Sequence, residues 1–261
     1  MDLNLSGKRA VVCGSTQGIG KAAAGELAKL GAHITLVARD ERKLRDVVGE
    51  LPQSGNQKHE FLVADFNMPE DVKLTADIYA QSKPVHILVN NSGGPPAGPA
   101  INARTFEFVN AFQAHLICNH YLVQAFVPSM KKAKYGRIVN IISTSVKAPI
   151  KGLGVSNTIR GAVANWAKTL SFELAGFGIT VNNVLPGATM TARLESIIKG
   201  KAKAAGKTAE EVMKEMMEEI PAGRIGEPHE VGAAIAFLAT PAAAYINGAN
   251  VPVDGGRTGN L

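Results

Sequence analysis

Along the chain, short apolar runs alternate with longer amphipathic stretches. The runs are Arg9 to Cys13, His33 to Ala38, Glu60 to Ala64, His86 to Asn90, Arg137 to Ile142, Thr180 to Val184 and Asn250 to Val253. They are nearly continuous in apolar and β-branched residues, the pattern of parallel strands covered on both faces. Between them, Ile19 to Leu30, Glu41 to Leu51, Pro69 to Gln81, Ala103 to Lys132, Ser156 to Ala175 and Pro228 to Ala239 carry helical periodicity. Pro69 and Pro228 fall at first-turn positions, where a missing N–H costs nothing, and Asp40 is placed to cap the helix that follows it. This alternation predicts the α/β class: a doubly wound, seven-stranded parallel sheet with helices on both faces, as a single domain over residues 1–261. One segment, Thr191 to Ile220, interrupts it. There Val212, Met213, Met216, Met217 and Ile220 recur at helical spacing and predict a helical flap over roughly 190–220, its methionines serving either as core or as a polarizable acyl-site lining.

Composition narrows the classes. With 46% hydrophobic and 19% charged residues in 261, the chain can bury a sizeable core and is not a disordered polymer. Cys13 and Cys118 show no metal-ligand or redox spacing, the opening MDLNLSGKR has no apolar run, and no stretch of about 18 apolar residues occurs, so a reduced cytoplasmic protein without a membrane partner is expected. The net charge of +6 is dispersed except at Lys199, Lys201, Lys203 and Lys207. Without a nucleic-acid motif that stretch reads as a solvated basic face, or as a contact for a carrier protein or an acidic substrate, and no nucleic-acid partner is expected. No His-Glu-x-x-His pattern or carboxylate cluster points to a metal.

The first candidate chemistry follows the first strand. Gly14-Ser15-Thr16-Gln17-Gly18-Ile19-Gly20 turns directly into a helix. Its glycines allow a tight turn and close backbone approach, and the helix N-terminus offers free N–H groups to a pyrophosphate. At the end of the second strand an acidic residue would accept from the ribose 2′-OH of NAD. Arg39 stands there instead and could meet a 2′-phosphate with charge-assisted hydrogen bonds worth about 1.5–3 kcal/mol each, which favours NADP(H) over NAD. Arg39 is otherwise a surface charge.

Together with Asn90-Asn91-Ser92-Gly93, Gly136 to Ser143, Pro186-Gly187 and Asp254-Gly255-Gly256, this loop resembles the short-chain dehydrogenase/reductase family over nearly the whole chain. The stretch Pro221 to Pro228 followed by Glu230-Val231 is most similar to 3-oxoacyl-(acyl-carrier-protein) reductases. The resemblance implies cofactor contacts from Gly14, Ser15, Gln17, Gly18, Ile19, Gly20, Arg39, Asp65, Phe66, Asn91, Gly93, Arg160, Pro186, Gly187, Thr189 and Thr191. It also implies a homo-oligomer, a homotetramer or dimer, paired through the helices of Ala103 to Lys132 and Ser156 to Ala175.

The catalytic positions depart from that family. Ser143 fits its serine, but thirteen residues onward stands Ser156 in place of tyrosine, and four further Arg160 in place of lysine. A tyrosine beside a lysine can deliver a proton to a carbonyl oxygen as hydride arrives, whereas a serine hydroxyl is a much poorer acid. Arg160 could bind the nicotinamide ribose or stabilise an oxyanion, but guanidinium is a poor proton relay; it could also be an ordinary helix-surface arginine. His115 falls at the family's asparagine position, as a substitute acid or as a core histidine. Ser143 binds a substrate carbonyl or caps a strand end. Tyr121, six residues past His115, points to another face. Two functions stand: an NADP(H)-dependent oxidoreductase acting on a carbonyl or alcohol, 3-oxoacyl thioesters included, with atypical proton delivery; or an NADP(H)-binding relative without turnover, acting as sensor or partner subunit. The mouth is expected between Gly93 to Pro99 and the flap.

Overall fold

A computed structural model describes residues 1–259, so the last two positions of the expected 1–261 span lie outside the described residues. Its seven strands are β1 (Arg9–Cys13), β2 (His33–Ala38), β3 (Glu60–Val63), β4 (Ile87–Asn90), β5 (Gly136–Ile141), β6 (Ile179–Pro186) and β7 (Asn250–Val253). They form one sheet in the order β3-β2-β1-β4-β5-β6-β7, every pair parallel. Alternate strand residues face opposite sides. Ala10 and Val12 pack with Leu27, Leu44 and Ile235 under α1 (Gly18–Lys29), α2 (Glu41–Glu50) and the C-terminal Pro228–Leu238 helix. Val11 and Cys13 pack with Val72, Phe126, Met130 and Ala167 from the Pro69–Ser82, Cys118–Ala133 and Gly154–Leu174 helices. Both faces are therefore covered, which is why the strands lack polar alternation. Fully burying a leucine or phenylalanine of this kind contributes about 1.5–3 kcal/mol.

The prolines and caps fall as the sequence predicts. Pro69 opens α3 (Pro69–Ser82), and the Asp40 carboxylate accepts from the Lys43 backbone N–H at 3.1 Å to cap α2. The helix expected over Ala103 to Lys132 is instead interrupted. After a 3₁₀ turn at Ala100–Asn102, α4 (Thr105–Phe112) passes through a π-helical turn, Gln113–Ile117, into α5 (Cys118–Ala133). A π turn takes in one extra residue without breaking the helical path. The expected flap is two helices, α7 (Ala192–Ala205) and α8 (Ala209–Glu218), between α6 (Gly154–Leu174) with β6 and the final α9 (Pro228–Leu238). Val212 and Met216 are buried there with Leu194, Ile198, Ala202 and Ile225 in a small cluster of their own, with Met213 and Met217 packed against it, so this methionine stripe is core.

Four asparagines stand directly opposite one another on β4, β5, β6 and β7. Asn90 Nδ2 donates to Asn140 Oδ1 at 2.8 Å, Asn140 Nδ2 to Asn183 Oδ1 at 2.9 Å, and Asn183 Nδ2 to Asn250 Oδ1 at 2.8 Å. This amide ladder ties four strands together. Among the described residues no helix is long and apolar enough to cross a membrane, and no cluster of His, Cys, Asp or Glu could hold a metal.

Candidate functional site

Chain order reverses between β1 and β4, which leaves a crevice at the carboxyl ends of the strands, the usual ligand position in open parallel sheets. There a cleft of about 800 Å³ opens. Its first wall is the loop between β1 and α1. Gly14 and Gly18 take positive φ of 57° and 55°, in the left-handed region that favours glycine. A Cβ on Gly20 would stand 2.2 Å from the Gly14 carbonyl oxygen, so the helix can follow the turn this closely only without one. Gln17, at the N-cap of α1, makes no side-chain cap bond, and the first turn holds no acidic residue. The N–H groups at this helix start are thus left for a ligand. Asn91 braces the loop from β4, its Nδ2 donating to the carbonyls of Cys13 (3.3 Å) and Gly14 (3.1 Å).

Most of the expected cofactor residues line this cleft: Gly14, Gln17, Gly18, Ile19, Arg39, Asp65, Phe66, Asn91, Gly93, Arg160, Pro186, Gly187, Thr189 and Thr191. Ser15 and Gly20 frame it from behind. The buried Ser15 hydroxyl accepts from the Val37 N–H at 3.1 Å and fastens the loop to β2. Arg39 is exposed at the end of β2 and makes no ion pair among the described residues, while Asp65 accepts from the Asn67 backbone and side-chain amides at 3.0 and 2.9 Å.

Ser143, Ser156 and Arg160 line the same cleft farther along the sheet. Ser143 accepts from the Ser145 N–H at 3.1 Å, so it caps the strand end while also facing the cleft. Ser156 and Arg160 lie one turn apart on α6. Arg160 is 9% exposed and donates from Nη1 to the Ile141 carbonyl at 2.8 Å, which excludes the helix-surface reading. Burial, then the charge of Arg193, push its pKa down to about 10, so it stays cationic at neutral pH.

The structure does not bring His115 into the cleft. Its neighbour Ala114 lines the wall, while His115, on the π turn, is 2% exposed with Nδ1 2.6 Å from Ser92 Oγ. Burial and the nearby Arg160 charge hold its pKa well below the usual histidine value, against a weaker pull from a hydrogen bond to the Gly93 backbone. Its imidazole therefore stands behind the wall rather than among the groups that line the cleft. Tyr121 does point elsewhere, donating to Glu70 at 2.9 Å.

Four polar lining residues were not singled out from the sequence: Thr16, Asn67, Ser92 and Arg193. Thr16 sits within the glycine turn, and proximity to it was the available signal. Arg193 opens α7 one turn from nothing chemically distinctive, and its Nη2 donates across the mouth to the Pro95 carbonyl at 2.6 Å. Gly93 and Gly94 line the mouth on one side and Thr191 to Leu194 on the other.

Comparison with known proteins agrees with this geometry. The family model described as Enoyl-(Acyl carrier protein) reductase matches residues 14–258. A tropinone reductase homolog of Arabidopsis thaliana (At2g29260, chloroplastic) is 32% identical over 98% of this chain and 77% of its own length. The 3-oxoacyl-(acyl-carrier-protein) reductase FabG of Haemophilus influenzae is 32% identical over 97% of this chain and 98% of its own. Among solved structures, L-sorbose reductase from Gluconobacter frateurii, complexed with NADPH and L-sorbose, superposes with a TM-score of 0.92 at 29% identity, covering 100% of both chains. A doubly wound parallel sheet, a glycine loop opening on its crevice and this breadth of similarity make the chain a member of the short-chain dehydrogenase/reductase family of oxidoreductases.

Proposed function

We propose that the protein is an NADP(H)-dependent oxidoreductase that moves hydride between the nicotinamide and a carbonyl or alcohol carbon of a small molecule held in the cleft. The observation that carries this is Arg39, exposed and without an ion-pair partner among the described residues where β2 ends on the cleft, which the uncapped start of α1 also lines. The NADPH in the solved L-sorbose reductase complex supports the same choice. The residues fit such a cofactor: the N-terminal turn of α1 would hold its pyrophosphate, Arg39 its 2′-phosphate, Asp65 and Phe66 its adenine, and Pro186 to Thr191 its nicotinamide end. When bound, the cofactor supplies or accepts the hydride.

At the reacting end, the Ser143 hydroxyl orients the carbonyl oxygen, and Arg160 holds a fixed positive charge beside it as negative charge develops. Neither Ser156 nor Arg160 is a competent acid near neutral pH, and His115 is neutral and walled off. The proton therefore comes from water or from the substrate itself. The exposed Phe106, Val109 and Phe112 on α4 and Phe172 on α6 offer the apolar surface through which copies of the chain pair.

The missing acid also favours a second reading, a dinucleotide-binding protein without turnover. Titration of the purified protein with NADPH and NADH, with NADPH oxidation followed across ketones, oxo acids and acyl thioesters, separates the two. Tighter binding of NADPH than NADH by tenfold or more, reversed by Arg39→Asp, together with substrate-dependent oxidation, is expected. Binding without oxidation of any substrate, and activity appearing only in Ser156→Tyr with Arg160→Lys, would establish the second reading instead.

A further inference from the structure

Arg160 lies deep in the cleft and Arg193 at its mouth, and both line it. They are near enough for the charge of Arg193 to act on Arg160. Among the described residues each makes one hydrogen bond, to a backbone carbonyl: Ile141 for Arg160 and Pro95 for Arg193. A guanidinium has five N–H donors in a fork suited to carboxylates and phosphates, so most of this donor capacity is unspent. Other arginines spend their donors within the protein: Arg9 pairs with Glu60, Arg45 with Glu41 and Arg224 with Glu230, and the buried Arg137 donates to the carbonyls of Gly136, Gly178 and Thr240. Among the described residues, neither Arg160 nor Arg193 has a carboxylate within ion-pair distance.

Asp65 is the sole acid among the described residues lining the cleft, and it follows β3. Arg160 is bonded to the end of β5, four strand positions away in the sheet, about 19 Å at ~4.8 Å per strand. A buried cation is costly without a counter-charge, and two cations repel. Unlike Arg137, whose guanidinium is met by three backbone carbonyls, Arg160 and Arg193 have one carbonyl each and face open cleft, which leaves room for an anion arriving with a ligand.

We propose that Arg160 and Arg193 together form a subsite for an anionic group of the substrate, a carboxylate or a phosphate close to the carbonyl that is reduced. This rests on the NADP(H) reading above, in which the cofactor's own phosphates lie at the start of α1 and at Arg39, whereas Arg160 is bonded to the end of β5 and Arg193 to the mouth loop at Pro95. The pair then selects oxo acids, or phosphorylated ketones, over neutral ketones. It also sets the substrate apart from a 3-oxoacyl thioester, which is uncharged at its reacting end.

The test is calorimetric titration of the NADP⁺-saturated protein with probe pairs differing in charge: 2-oxobutyrate against methyl 2-oxobutyrate, and glycerol 3-phosphate against glycerol. With Arg160 buried and Arg193 exposed at the mouth, in at least one pair the anion should bind about tenfold or more tightly, the lower end of the range for close charge pairs. Which pair shows it distinguishes carboxylate from phosphate. Arg193→Met should abolish that preference, Arg193→Lys should keep most of it, and NADP⁺ affinity should be the same in all three proteins. The proposal is overturned if neither anion is preferred, if the preference survives Arg193→Met, or if the anions bind only when NADP⁺ is absent, which would give the pair to the cofactor. A protein that takes up no NADP(H) at all would defeat the preceding functional reading. The same titrations on cofactor-free protein, with the same Arg193 criterion, would then decide the subsite separately.

Discussion

Replacing Asn140 with leucine cuts the amide ladder at its centre. Asn140 is fully buried, accepts from Asn90 and donates to Asn183. Asn90 Oδ1 already has no partner, so the change leaves the whole Asn90 side-chain amide without a bond and strands Asn183 Oδ1 as well. Two buried groups left unsatisfied cost about 1–3 kcal/mol each, and the better burial of leucine offsets about 1.5–3 kcal/mol of the sum. At the centre of these ranges the net loss is about 2 kcal/mol, a large share of a typical stability of about 5–15 kcal/mol. Urea unfolding followed by far-ultraviolet circular dichroism should show the midpoint falling with an unchanged slope, by roughly 0.6 M for a slope near 3 kcal/mol/M. The second half of the experiment is a cycle with Asn90→Ala. Removing the stranded partner should make the double variant less destabilised than the sum of the two single changes. A midpoint within about 0.1 M of the parent, or strictly additive effects, would refute the view that the ladder holds these strands.

Gly20→Ala places a methyl group 2.2 Å from the Gly14 carbonyl oxygen and 2.8 Å from Asn91 Nδ2, so the phosphate loop must shift; a stability loss of about 1–3 kcal/mol and an NADPH dissociation constant raised at least tenfold are expected by fluorescence titration. Gly25→Ala, in the same helix with nothing within 4 Å, is the control and should leave NADPH affinity unchanged. The His115 imidazole should show constant NMR shifts from pH 8 down to 6, whereas a midpoint near 6.5 would restore it as a candidate acid. Since its folded pKa lies below the unfolded value, the unfolded chain binds more protons as pH falls through about 6.5. Its contribution to stability is therefore present above that pH and is lost toward the folded pKa, so between pH 7 and 5 the parent should lose more stability than His115→Asn in urea unfolding.

The sheet was legible because continuous apolar runs and helical periodicity each record burial directly. Arg9–Cys13, His33–Ala38 and Asn250–Val253 fall on the expected residues, and the others differ by one or two at an end. The π turn at Gln113–Ile117 was not legible, since a single added residue leaves the apolar spacing on either side intact. That turn matters for the site: it belongs to the segment that holds His115 behind the wall. The glycine loop was legible from its spacing, yet the roles inside it were not. Gly20 and Ser15 serve packing and strand attachment, which requires knowing what stands opposite them. Arg193 was invisible for a different reason: an arginine after a helix cap is commonplace, and only the mouth loop at Pro95 gives it a position.

The flap formed by α7 and α8 carries its own apolar cluster, with Leu194, Ile198, Val212 and Met216 at its centre. It returns to the body through the Thr189–Gly226 bridge and the Ala222 N–H bond to Gly255. Such an arrangement separates two kinds of evolutionary change. Substitutions on the cleft side of α7, at Arg193 or Ile197, can retune what enters without disturbing the clusters that hold the sheet, and the glycine loop can stay untouched while they do. A lineage could thus pass from one substrate to another by trading a cassette of about thirty residues.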